Sequence, residues 1–124
     1  MKKRLFLTMM LLSSLLGGST LTINAAAKNT AKALWCPENS TLYFLYDNVS
    51  YSTGSSGNNS CDGHRINIIY EGTNVTAPSG SGRLYTGQLS NSCKHVVIKE
   101  NFSSSGMTNC WGMFKDFTVL ESVE

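Results

Sequence analysis

After residue 27 the chain has no apolar run approaching the roughly 20 residues a membrane-spanning helix needs, so no membrane anchor is expected in residues 28–124. The same stretch has no cluster of Lys or Arg that could track a phosphate backbone, which argues against nucleic acid as a partner. There is no G-x-S-x-G elbow, and Gly-rich stretches such as Gly80 to Gly87 lack the Lys-Ser/Thr ending of a phosphate loop. No two cysteines stand within four residues of one another, the spacing structural zinc prefers. Cys61, His64, Cys93 and His95 are therefore not read as a metal set, and no cofactor is implied. No window beyond the N-terminal run keeps a 3.6-residue period for ten residues, so helix beyond a short turn is not expected.

What is present begins with an export signal. Lys2, Lys3 and Arg4 precede an apolar run from Leu5 to Leu16, and Ala25, Ala26 and Ala27 supply small residues for cleavage, so residues 1–27 read as a signal peptide. The product is expected to be secreted or periplasmic, and soluble, since no cysteine stands at the cleavage site to take a lipid. Three of the ten basic residues leave with the signal, so residues 28–124 set seven basic against eight acidic side chains. The charged start has a bacterial character, and the five Asn-x-Ser/Thr sequons at Asn39, Asn48, Asn58, Asn74 and Asn101 are accordingly discounted as glycan acceptors.

Cys36, Cys61, Cys93 and Cys110 all follow the signal, and an even number of cysteines in a small exported chain predicts two disulfides. Residues 28–34 are short and polar and read as a flexible tail, with a disulfide-stapled β domain over 35–124. Thr41 to Tyr51 is dense in Tyr, Phe, Leu and Val, with Asp47-Asn48 as either a turn or a bend; Ser52 to Gly63 reads as a loop. Arg65 to Tyr70 alternates, placing Ile66, Ile68 and Tyr70 on one face. Arg83 to Ser90, Lys94 to Phe102 and Gly112 to Val123 complete five or six strands, with a turn at Ser103 to Gly106. The expected fold is all-β, a single small antiparallel barrel or sandwich. A five-stranded meander would bring together Cys36 with Cys110 and Cys61 with Cys93.

His64 and His95, with Glu71 and Arg83, are the inventory of a small secreted ribonuclease, but no motif fixes them near one another. The aromatics offer more. Trp35 and Trp111 each adjoin a cysteine and read as core, whereas Tyr43, Tyr51 and Tyr85 are candidates for a surface patch suited to sugar rings or protein hot spots.

Two resemblances follow from short motifs. Cys36-Pro37 soon after an alanine cleavage site, the aromatic and Gly-rich segments behind it, and Cys110-Trp111 resemble a family of short exported bacterial proteins of unknown function. Ser81-Gly82-Arg83-Leu84-Tyr85, following Cys61-Asp62-Gly63, is similar to the Ser-Gly-x-x-Tyr loop of the periplasmic C-type lysozyme inhibitors. That likeness implies a small β-barrel whose Ser81 and Tyr85 enter a hydrolase cleft. The expected function is a secreted, non-catalytic binding domain for a glycan or an extracellular or periplasmic protein, through Tyr43, Tyr51, Ser81 and Tyr85. Inhibition of a cell-wall hydrolase and ribonuclease activity are the alternatives.

Overall fold

The computed structural model describes residues 25–75, 89–107 and 113–124; the expected signal peptide lies almost wholly outside them. Among the described residues seven strands form: β1 (Thr30–Cys36), β2 (Thr41–Asp47), β3 (Ser60–Cys61), β4 (His64–Arg65), β5 (Ile68–Glu71), β6 (His95–Ile98) and β7 (Ser122–Val123). Five make one sheet in the order β5-β1-β2-β6-β7, and β3 and β4 form a separate hairpin. The helical segments among the described residues are 3-10 turns at Pro37–Asn39, Gly72–Val75 and Glu100–Ser105. No described helix is long and apolar enough to cross a membrane.

The sheet is mixed and open, which corrects the antiparallel barrel, sandwich and meander. β1 pairs antiparallel with β2 and with β5, while β2–β6 and β6–β7 are parallel. A parallel neighbour needs a long crossover, and the chain from 48 to 94 supplies it between β2 and β6.

The expected tail is the second correction. Residues 30–36 are an inner strand, with Ala33, Leu34 and Cys36 wholly buried. Ala and Lys have weak strand preference, and ladders on both sides, Leu34 with Tyr43 and with Ile69, decide the outcome.

Side chains alternate across the two central strands and build a core on each face. Ala33, Trp35, Leu42 and Phe44 point to one face with Val75, Leu89, Cys93, Val96, Phe102 and Met113; this is the Phe44 face. Leu34, Cys36, Tyr43 and Leu45 point to the other, the Tyr43 face, with Cys61 and Ile66. Trp35 and Cys36 are neighbours in sequence and lie on opposite faces, so Trp35 is core, but not against the Cys36 sulfur. Phe44 meets Phe102 edge to face at 5.3 Å and Phe114 at 6.0 Å.

The expected strand Arg65 to Tyr70 breaks at Ile66-Asn67. The Ile66 amide bonds back to the Asn59 carbonyl at 2.8 Å while the Asn67 amide bonds to the Trp35 carbonyl at 2.8 Å. The break sends Ile66 to the Tyr43 face and leaves Ile68 and Tyr70 on the Phe44 face. Lys94 to Phe102 is strand only over His95–Ile98 and then turns into the 3-10 segment, closed by Gly106 at φ 70°. The long last strand shortens to Ser122–Val123, because residues 113–116 form turns that press Met113 and Phe114 on the Phe44 core. Residues 83–88 of the expected strand Arg83 to Ser90 lie outside the described residues.

Candidate functional site

The Tyr43 face is roofed by the β3–β4 hairpin. Its turn is Asp62-Gly63, both left-handed at φ 49° and 82°, the backbone that a two-residue hairpin requires and that Asp-Gly supplies. The roof stops short of the end of β2. The opening there is a groove of about 490 Å³ lined by Leu45, Asp47, Tyr51, Ser60, Cys61, Asp62, Lys99, Glu100 and Asn101.

Each polar wall has a local reason for its place. Asp47 ends β2, and its Oδ1 accepts the Val49 amide at 3.1 Å, bending the chain sharply. The same Oδ1 accepts Lys32 Nζ at 2.9 Å, and Oδ2 accepts the Tyr51 hydroxyl at 3.0 Å. Lys32 is 2 % exposed, and its ammonium also reaches the Asp47 carbonyl at 2.7 Å and Glu71 at 3.8 Å. A buried charge survives only when paired and hydrogen-bonded, which this set achieves. Tyr51 is pinned by a parallel bridge to Asn58, and burial, then its bond to Asp47, pushes its phenol above the usual range. Across the groove, Lys99 leaves β6 with its amide on the Phe44 carbonyl at 2.9 Å and pairs with Asp62 at 2.5 Å. That bond raises the Lys99 pKa.

Of the four tyrosine and serine candidates, the structure places Tyr51 on the groove. Tyr43 is corrected from surface to core: it is 4 % exposed, because even spacing along β2 turns it beneath the hairpin, where its hydroxyl accepts Asn39 Nδ2 at 2.8 Å. Burial raises its pKa, and Lys99 Nζ lies 5.5 Å from its ring centroid. Ser81 and Tyr85 lie outside the described residues, as do Arg83, Cys110 and Trp111.

The histidines keep different company. His64 faces Glu38 at 3.8 Å, whereas His95 shares a hydrogen bond with Ser122 at 3.0 Å and lies 4.0 Å from Glu121. Cys36, Cys61 and Cys93 are thiols in the structure. The expected Cys61–Cys93 bridge does not fit this topology, since Cys61 sits on the Tyr43 face and Cys93 on the Phe44 face. Among the described residues no His, Cys, Asp or Glu cluster could hold a metal.

Sequence reasoning missed Lys32, Asp47, Asp62 and Lys99. For Asp62 the signal was legible, because Asp-Gly between short β-compatible pairs is a strong hairpin mark. No family model, no curated protein and no solved structure matches the chain.

Proposed function

We propose that the chain is an exported, non-catalytic binding domain that takes a neutral glycan in the groove beside Tyr51. The observation that carries this reading is the lining itself: one aromatic ring, Tyr51, beside carboxylates at Asp47, Asp62 and Glu100 and the Asn101 amide in an open groove. A sugar offers an apolar ring face and a rim of hydroxyls, and an aromatic flanked by fixed acceptors and donors answers both. Lys32 and Lys99 are already bonded to Asp47 and Asp62, which leaves Glu100 as the excess charge of the lining, so an acidic glycan would be repelled. Asp47 is held by three donors and serves to position Tyr51.

Calorimetric titration with an N-acetylglucosamine trimer tests the reading. The expected dissociation constant is on the order of 0.1 mM, with the sugar recovered intact, and Tyr51→Ala weakens binding about tenfold or more. Asn101→Ala, on the exposed rim, gives a smaller loss with an unchanged circular dichroism spectrum. An absence of binding heat, or full affinity in a folded Tyr51→Ala variant, contradicts the proposal.

A further inference from the structure

The Cys36 sulfur lies against both members of one rung of the hairpin. Cys61 and His64 are direct cross-strand partners, the Cys36 thiol donates to the His64 carbonyl at 3.6 Å, and Cys61 packs with Cys36 in one buried cluster. Both thiols are buried in the small core of the Tyr43 face, and the sheet separates them from Cys93. Cys36 ends β1, a strand flanked by β2 and β5, and pairs with Thr41; Cys61 is on a two-stranded hairpin that carries Asp62 to the groove.

We propose that Cys36 and Cys61 are joined as a disulfide in the exported protein, clamping the β3–β4 hairpin to the sheet and fixing the Ser60 to Asp62 wall of the groove. Oxidation breaks two S–H bonds and forms one S–S bond; an external disulfide accepts the two electrons and two protons and leaves as two thiols. Cys61 lines the groove while Cys36 is fully covered, so the Cys61 thiolate attacks the external disulfide first, and the Cys36 thiolate then resolves the mixed disulfide. Burial pushes the thiols up to about 11 for Cys61 and about 12 for Cys36, which favours the same order and makes the closed face slow to react. The bridge itself does not depend on what the groove binds; only its consequence for the ligand rests on the glycan reading.

Non-reducing peptide mapping of the chain exported by its own signal tests the bond directly. No Lys or Arg stands between Cys36 and Cys61, so cleavage after the aromatic residues between 43 and 51 must separate them. The expected product links the Cys36 peptide to the Cys61 peptide. A Cys36 peptide joined to Cys93 or Cys110, or both thiols alkylated in the folded exported chain, overturns the proposal. Hydrogen exchange supplies the structural consequence: reduction, or the double variant Cys36→Ala with Cys61→Ala, speeds exchange at residues 60–66 by at least about tenfold while the β1–β2 ladder changes far less. Equal exchange in bridged and unbridged chains removes the clamp. Neither readout uses a sugar, so its failure is distinguishable from a failure of the glycan reading.

Discussion

The two faces of the sheet share β1 and β2 residue by residue, yet they are built on different terms. On the Phe44 face, Phe44, Phe102, Phe114 and Phe117 form a chain of edge-to-face contacts among Leu, Val and Met side chains. On the Tyr43 face the same strands present Lys32, Cys36, Tyr43 and Asp47, and the cover is a short hairpin that leaves a groove open. The Phe44 face buries more apolar side chains than the Tyr43 face, so it contributes more to the fold's stability. A face with a fixed charge and a phenol at its rim stabilises less per residue and has groups to offer a ligand.

The largest expected effect breaks the first face. Phe44→Ala should cost about 3–5 kcal/mol, the range for deleting a buried aromatic, and should lower the denaturant midpoint or unfold the chain outright. Urea unfolding followed by tryptophan fluorescence measures it, because Trp35 belongs to the same core. A cost below about 1 kcal/mol would mean that the Phe44 face is not the principal core.

The second face should break differently. Lys32→Met keeps the buried stem but removes the ammonium, leaving Asp47 to the Val49 amide and the Tyr51 hydroxyl alone. Because Asp47 is only partly covered, at 21 % exposure, the expected cost is smaller, about 2–3 kcal/mol. The same urea experiment on the double variant Lys32→Met with Asp47→Asn sharpens this. With the unpaired carboxylate removed, part of the Lys32→Met deficit should be recovered. A double variant no more stable than Lys32→Met would assign the effect to packing of the lysine stem instead.

Much of the fold is written in local pattern, and the remainder in long-range pairing. β2 is legible because Thr41 to Leu45 is almost continuously apolar, and all five residues are buried. A run without polar alternation also signals cover on both faces, the feature that an open, two-sided sheet has and a barrel with one wet face lacks. β1 was not legible: Lys32 is the residue type least expected in a core, and its acceptable burial depends on Asp47, which reaches it only through the β1–β2 register. The break at Ile66-Asn67 is likewise invisible locally, since Ile66, Ile68 and Tyr70 alternate perfectly and only the hairpin's claim on Ile66 moves it across the sheet. At the site, Tyr51 could be named from composition. Tyr43 could not be told from it, because both rings lie on the same face and only the cover of the β3–β4 hairpin, set by long-range pairing, buries one and leaves the other at the rim.

The division of labour between the faces is tested most directly by following backbone amide shifts of the 15N-labelled chain as the N-acetylglucosamine trimer is added. The account predicts shifts concentrated at Leu45, Asp47, Tyr51, Ser60 to Asp62 and Lys99 to Asn101, with the amides of Leu89, Cys93 and Met113 unmoved. Shifts centred on the Phe44 face, or none at millimolar sugar, would contradict it.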